Sequence, residues 1–137
     1  MENFKHCLLI DDDIDDQDIF KWCVKEIGAN ITCSTVDSGV DALFMLSNQT
    51  SYLPDYMFID MNMSKMNGIE CLRKIKEITR LNNSKVFMYS TTAEPRSVKE
   101  SQELGANDFI VKPAKVSELK ITLSKIFGIG QEAIGYQ

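Results

Sequence analysis

Aspartate residues crowd one short segment near the start of the chain. In LLIDDDIDDQD, residues 8–18, apolar residues run into a stretch in which six of the eight positions from Asp11 to Asp18 are aspartate. Carboxylates packed this closely raise one another's pKa and disfavour ionisation. The segment therefore forms either a solvated helix start or one wall of a site that holds a cation.

Other polar residues follow apolar runs in the same way. The ends of four such runs carry Asp11 and Asp12, Asp60, Ser90 and Lys112. In an open parallel sheet the carboxyl ends of the strands share one edge, and ligands bind there. Carboxylates, a hydroxyl and an ammonium at this edge favour a hard cation such as Mg²⁺, with room for phosphate oxygens.

Taken singly, these residues have simpler explanations. Asp15, Asp16 and Asp18 suit a solvated first helical turn, where negative charge complements the helix dipole. A lone Asp60 is typical of a cap, and a lone Lys112 of a surface charge. A calcium loop of the EF-hand type starting at Asp11 is excluded, because its sixth position is aspartate instead of glycine and its twelfth is tryptophan instead of glutamate.

The elements that must position these groups alternate along the chain. Five short apolar runs predict strands: HCLLI (6–10), ITCSTV (31–36), YMFI (56–59), KVFMY (85–89) and DFIV (108–111). Helical spacing between them places apolar residues on one face, with Val40, Leu43 and Leu46 in the second helix and Val116, Leu119, Leu123 and Ile126 in the last. Asp37 or Ser38 is expected to cap the second helix. Unbroken apolar strands indicate a sheet covered on both faces, so the fold class is α/β, with five parallel strands and helices on both sides.

Composition narrows the class of protein. The chain has 137 residues, 44% of them hydrophobic and 26% charged, which fits one globular domain. A net charge of −5 argues against direct nucleic-acid binding, and no apolar stretch is long enough to span a membrane. Four cysteines without a CxxC pair, beside a single histidine, predict reduced thiols in or near the core of a cytoplasmic protein.

Four separated motifs together resemble one family. LLIDDD, PDYMFIDMNMSKMNG, VFMYST and GANDFIVKP are similar, in this order, to the receiver domain of bacterial two-component response regulators, in a stand-alone, chemotaxis-regulator-like form. The resemblance implies a doubly wound (βα)5, flavodoxin-like three-layer sandwich with strand order 2-1-3-4-5. It also implies a receiver domain over residues 1–127, followed by a short tail over 128–137 and no effector domain.

The resemblance assigns a role to each matching residue. Asp60 is expected to accept a phosphoryl group from a sensor histidine kinase or a histidine phosphotransfer protein. Asp11 and Asp12, with Asp60 and the backbone of Asn62, are expected to hold Mg²⁺. The remaining expectations are that Ser90 and Lys112 contact the phosphoryl group, that the Lys112–Pro113 bond is cis, and that Phe109 is an aromatic switch residue.

The family resemblance further implies a switch instead of an enzyme. Phosphorylation is expected to rearrange residues 91–97, which precede a weakly apolar fourth helix, and to expose a target-binding face formed by helix 4, strand 5 and helix 5. Two positions depart from the family pattern, with Ser64 where proline is usual and Thr91 where a smaller residue is common. Asn62 and Thr92 occupy positions that tune dephosphorylation in the family.

Two other functions stay open at this stage. Asp60-Met61-Asn62-Met63-Ser64 echoes the nucleophile motif of haloacid-dehalogenase-like phosphohydrolases, although the amide of Asn62 cannot serve as their general acid. A receiver-like scaffold that is never phosphorylated is the other alternative. The number of phosphoryl groups taken up or turned over per chain distinguishes the three.

Overall fold

The architecture follows the predicted alternation of strands and helices. The computed structural model describes residues 4–28 and 30–129, so residues 130–137 of the tail predicted over 128–137 lie outside the described residues. In chain order the elements are β1 (Lys5–Ile10), α1 (Ile14–Ile27), β2 (Ile31–Val36), α2 (Gly39–Asn48), β3 (Tyr56–Asp60), α3 (Gly68–Lys76), a 3₁₀ turn (Thr79–Leu81), β4 (Lys85–Ser90), α4 (Pro95–Glu103), β5 (Asp108–Val111) and α5 (Val116–Phe127).

The strands form one parallel sheet in the order β2-β1-β3-β4-β5, which confirms the predicted strand order. In the centre of the sheet, Leu9 pairs with Thr35 on one side and with Phe58 on the other. All five residues of β3 are buried, as expected of a central strand covered on both faces. Because every strand runs the same way, the residues that end β1, β3, β4 and β5 meet at one edge of the sheet.

Two hydrophobic cores hold the helices against the sheet. On one face, α1 and α5 cover an aromatic group in which the Phe20 ring packs edge-on against Phe58, with centroids 5.0 Å apart. On the other face, α2 and α3 cover aliphatic residues of the sheet that include Leu8 and Met57, and α3 contributes Leu72 to this core. These two layers fix where α1 and α3 begin, and both helices begin beside the polar edge of the sheet.

Polar side chains start the helices that border this edge. The carboxylate of Asp13 accepts the amide N–H of Asp16 at the start of α1, and Asn67 does the same for Glu70 at the start of α3. Ser38, one of the two residues predicted to cap the second helix, accepts the amide N–H of Asp41. These caps satisfy backbone donors that a helix leaves free in its first turn.

Two side chains predicted to face the core do not. Val40 is 49% exposed, because α2 instead turns the small residues Gly39 and Ala42 inward together with Leu46. A Cβ at Gly39 would lie 3.0 Å from the sulfur of Met66, so this close approach favours small residues. Val116 is 39% exposed, since it begins α5 beside an open cleft that it shares with Ile19.

The fourth helix is anchored as weakly as its composition predicts. Ser101 is the one residue of α4 that is buried, whereas α3 buries Ile69, Cys71, Leu72 and Ile75 as well as its first glycine. Little apolar area therefore holds α4 in place. Among the helices of residues 4–28 and 30–129, none is both long and apolar enough to cross a membrane.

Candidate functional site

Three carboxylates lie together at the carboxyl edge of the sheet. Asp11 directly follows β1, Asp12 comes next, and Asp60 ends β3. One oxygen from each of the three lies within 4.8 Å of the others. Asp11 and Asp60 are buried whereas Asp12 is exposed, so the group opens to solvent on one side.

The ammonium of Lys112 lies against this group. Its Nζ is 2.9 Å from Oδ2 of Asp11 and 3.6 Å from Oδ1 of Asp60. The side chain of Lys112 is only 11% exposed, and its Nζ lies 5.2 Å from the centre of the Tyr89 ring. A nearly buried cation therefore partly neutralises two buried carboxylates at the ends of different strands.

Burial and charge set the protonation of the two most enclosed groups. Burial raises the pKa of Asp11 to about 6, although the amide of Asp13 and the ammonium of Lys112 both hold it down. Burial lowers the pKa of Lys112, but its hydrogen bonds to Asp16 and Asp11 outweigh that effect and raise the pKa above its ordinary value. Lys112 is therefore a permanent cation near neutral pH.

Main-chain amides fix the positions of the acidic side chains. The amide N–H of Asp13 donates to Oδ1 of Asp11 at 2.9 Å, and that of Ser64 donates to Oδ2 of Asp12 at 3.3 Å. The amide N–H of Asn62 reaches Oδ1 of Asp60 at 3.4 Å. Ser64, where proline would carry no N–H, thus ties the loop after β3 to Asp12.

Ser90 and Phe109 border a small cleft next to Asp60. The cleft holds about 90 Å³ and its lining also includes Met61, Asn62, Thr92, Glu94 and Ser97. The Ser90 hydroxyl is buried and accepts the amide N–H of Thr92 at 3.3 Å, whereas the ring of Phe109 is half-buried. A rearrangement of the segment that follows Ser90 would therefore change the walls of this cleft and the surroundings of Phe109.

The predicted cis peptide bond before Pro113 is wrong, because residues 4–28 and 30–129 contain no cis peptide bond. The trans isomer of an X–Pro bond is favoured intrinsically by about 0.5–1 kcal/mol. With that isomer, the amide N–H of Lys112 donates to the carbonyl oxygen of Ser90 at 2.7 Å.

Two polar residues of α1 belong to the site but were not predicted as part of it. Asp16, which the sequence pattern assigns to a solvated turn, lies 2.7 Å from the Lys112 ammonium through its Oδ2. Gln17 is buried, and its amide nitrogen donates to the Asp11 carbonyl oxygen at 2.6 Å and to the Asp37 carboxylate at 2.9 Å. The sequence held one usable signal, which is that Gln17 occupies an inward position of an amphipathic helix and so needs polar partners.

The donor set fits a hard divalent cation. Asp11, Asp12 and Asp60 supply carboxylate oxygens within reach of one ion, and the Asn62 carbonyl belongs to the same loop. Mg²⁺ accepts oxygen ligands and keeps several waters, so a few carboxylates suffice. The arrangement can bind such an ion beside a carboxylate whose other neighbour is an ammonium.

The fold and this site define a signalling module of known type. Residues 7–124 match the family model described as the response regulator receiver domain. The chain therefore belongs to the receiver domain family of two-component and chemotaxis signalling.

Individual relatives agree with this assignment. The chain is 33% identical over 120 residues to the chemotaxis protein CheY-3 of Vibrio cholerae, which covers 88% of this chain and 89% of CheY-3. Its structure is similar to that of the phosphorylated cyanobacterial phytochrome response regulator RcpA, with a TM-score of 0.81 and 25% identity over 90% of this chain and 91% of that one. It is also similar to a chain of the CheX–CheY–BeF3–Mg²⁺ complex of Borrelia burgdorferi, with a TM-score of 0.75 and 28% identity over 90% and 89% of the two chains.

Proposed function

We propose that this receiver domain is a switch that accepts one phosphoryl group on Asp60 in a Mg²⁺-dependent reaction. The observation that carries the proposal is the position of Asp60. Its carboxylate lies within 4.8 Å of two further carboxylates and 3.6 Å from the Lys112 ammonium, so a metal ion and a side-chain cation can flank the same acceptor.

The reaction consists of one displacement at phosphorus. A carboxylate oxygen of Asp60 forms the new O–P bond while the bond from phosphorus to the donor nitrogen of a phosphohistidine breaks, and the electron pair of that bond returns to the imidazole. Both the attacking carboxylate and the phosphoryl oxygens are negative, so positive charge at the site lowers the barrier. Mg²⁺, held by Asp11, Asp12, Asp60 and the Asn62 carbonyl, would supply most of that charge.

The side chains of this chain perform the remaining tasks. The Lys112 ammonium, whose Nζ lies 3.6 Å from the Asp60 carboxylate, would turn one of its three N–H donors toward a phosphoryl oxygen. Ser90 is the last residue of β4 and lines the small cleft that it shares with Phe109. Its hydroxyl would donate to another phosphoryl oxygen. Drawing Ser90 toward the phosphoryl group would shift residues 91–97 and let the Phe109 ring turn inward, and these changes alter the α4–β5–α5 face.

Relatives support this proposal. RcpA is named as a phosphorylated response regulator, and the Borrelia burgdorferi complex joins CheY with BeF3, Mg²⁺ and CheX. By analogy, a sensor histidine kinase or histidine phosphotransfer protein would donate the phosphoryl group, and a protein target would bind the α4–β5–α5 face. The four cysteines are free thiols, as suits the reducing conditions of the cytoplasm.

Intact mass spectrometry tests the proposal directly. The protein is incubated with acetyl phosphate and Mg²⁺, beside an EDTA control and the variant Asp60→Asn. We expect one phosphoryl adduct per chain that requires Mg²⁺ and is absent from Asp60→Asn. Rapid release of inorganic phosphate over many turnovers would instead identify a phosphohydrolase. No adduct and no release would identify a scaffold.

A further inference from the structure

The closest partner of the Lys112 ammonium is neither the proposed phosphoryl acceptor nor a proposed metal ligand. Nζ lies 2.7 Å from Oδ2 of Asp16, 2.9 Å from Oδ2 of Asp11 and 3.6 Å from Oδ1 of Asp60. A lysine ammonium has three N–H donors, and the two shorter contacts use two of them. Asp16 therefore holds a donor that would otherwise be free to turn toward Asp60.

We propose that Asp16 is a positioning residue that restrains Lys112 away from Asp60 and so sets how strongly the site binds a phosphoryl group. This inference rests on the proposed function, because it concerns the same acceptor. Asp16 acts through Lys112 as a competitor of the phosphoryl oxygens for the ammonium.

The surroundings of Asp16 allow its contact with Lys112 to be released when a phosphoryl group competes for the ammonium. The Asp11 side chain is fully buried and held by the amide of Asp13, so its contact with Lys112 is rigid. The Asp16 side chain is 33% exposed. Within residues 4–28 and 30–129, the hydrogen bond from Lys112 is the one that the Asp16 carboxylate accepts. Solvent can therefore replace Lys112 at Asp16 far more easily than at Asp11 when a phosphoryl group draws the ammonium toward Asp60.

Charge acts in the same direction as competition. The carboxylates of Asp11, Asp16 and Asp60 lie within 3.6 Å of one ammonium, and Asp12 lies within 4.8 Å of both Asp11 and Asp60. A phosphoryl group adds close to two further negative charges. Removing the charge of Asp16 both frees a donor and lowers the repulsion, so it favours the phosphorylated state.

Beryllofluoride, which forms a non-covalent analogue of a phosphoryl group on a carboxylate, tests the inference at equilibrium. Its dissociation constant is measured by ¹⁹F NMR at saturating Mg²⁺ for wild type, Asp16→Asn, Asp15→Asn and Asp16→Glu. Asp15 is the matched control, because it is an exposed carboxylate in the same helical turn and makes no described ion pair. The Mg²⁺ affinity of each variant is measured separately, since a structural defect would lower both affinities.

We expect Asp16→Asn to bind beryllofluoride about three- to tenfold more tightly than wild type, as a partly exposed ion pair would allow. Asp15→Asn and Asp16→Glu should stay within about twofold of wild type, since both retain a carboxylate that can reach Lys112. Equal binding by Asp16→Asn and Asp15→Asn, or weaker binding by Asp16→Asn, would overturn the inference while the proposed function stands. A wild-type protein that neither binds beryllofluoride nor forms the Asp60 adduct would overturn both.

Discussion

The first residue of α3 lies directly against the main chain of the proposed phosphoryl acceptor. A Cβ at Gly68 would stand 2.5 Å from the carbonyl oxygen of Asp60 and 2.8 Å from the α-carbon of Met61. The amide N–H of Gly68 also donates to the carbonyl oxygen of Met61 at 3.0 Å. The loop between Asp60 and α3 is thus closed by a contact that only glycine permits.

Replacing this glycine is therefore expected to destabilise the fold. In Gly68→Ala the new methyl group meets backbone atoms that cannot rotate away, and overpacking of this kind costs about 1–3 kcal/mol. The matched control is Gly39→Ala, which alters the first residue of α2, where the nearest atom is the flexible sulfur of Met66 at 3.0 Å. Denaturant unfolding should show a clear loss for Gly68→Ala and a much smaller change for Gly39→Ala. Equal losses in the free energy of unfolding of the two variants would contradict the expectation that the Gly68 contact requires glycine.

Asp11 should destabilise the metal-free protein above pH 6. Its pKa is raised from 3.8 to about 6 in the fold, so the folded state binds this proton more tightly than the unfolded chain. Protonation of Asp11 therefore stabilises the fold. This stabilisation is complete below pH 3.8, the pKa of the unfolded chain, and is lost as the pH rises through about 6, the pKa in the folded protein. Asp11→Asn stays neutral, and in EDTA we expect it to be more stable than wild type at neutral pH by about 1–2 kcal/mol.

The pH dependence of that difference is the sharper measurement. The advantage of Asp11→Asn in free energy of unfolding should grow between about pH 4 and pH 6 and then level off. It should not exceed the full value of the shift, about 3 kcal/mol. Asp18→Asn, at an exposed position of α1, serves as the control and should show no such rise. A flat difference for Asp11→Asn would rule out the raised pKa.

Removing the site's ammonium should have the opposite effect. Lys112→Met leaves buried Asp11 and Asp60 without their cation, and breaking a buried ion pair from one side costs about 3–5 kcal/mol. Unfolding in EDTA should show this loss, and Mg²⁺ should restore part of it. Lys115→Met, at an exposed lysine three residues on, should remain close to wild type. A Lys112→Met variant as stable as Lys115→Met would mean that the carboxylates need no counter-ion.

Mg²⁺ itself should stabilise the protein by mass action. A ligand that binds only the folded state at a hundred times its dissociation constant adds about 2.7 kcal/mol. The melting temperature should therefore rise with Mg²⁺ concentration, and Asp12→Asn should reduce that rise because it removes an exposed ligand charge. Asp41→Asn, in the first turn of α2, should behave like wild type. A melting temperature that does not change with Mg²⁺ concentration would argue against the proposed metal site.

The weak anchoring of α4 should be visible in hydrogen exchange. Backbone amides of α4 are expected to exchange faster than those of α3, because α4 buries only Ser101 whereas α3 buries a full apolar face. Beryllofluoride with Mg²⁺ should change exchange in residues 91–97 more than in α3. Equal protection of the two helices would contradict the expectation that α4 is the easily displaced element.

Local pattern was sufficient to predict the sheet. Each strand is a continuous apolar run, so its position could be predicted from the chain alone, and the edge that gathers Asp11, Asp60 and Lys112 followed from parallel geometry. Strand order came from family resemblance, and the sheet confirms it. The inward positions of α2 were harder to predict, because the helix approaches Met66 closely and buries Gly39 and Ala42 in place of the larger Val40.

The finer features of the site depend on contacts between distant segments. Nothing in the aspartate run distinguishes Asp16 from Asp15 until α1 is packed beside the end of β5, which brings together residues 96 positions apart. The isomer of the Lys112–Pro113 bond is likewise a property of the folded loop, and there the expectation was wrong. A sequence pattern within one helix or strand predicts that element well, whereas side-chain contacts with another element can be identified only from the folded structure.

The ion pair between Lys112 and Asp11 joins residues 101 positions apart, and this separation bears on how the protein is made. A chain still emerging from the ribosome exposes its aspartates long before its last strand is available. Without Lys112 the nascent chain has the proposed acceptor but not the side-chain cation that would flank it. Under the proposed function, newly made molecules would become able to accept a phosphoryl group only after translation has passed the fifth strand.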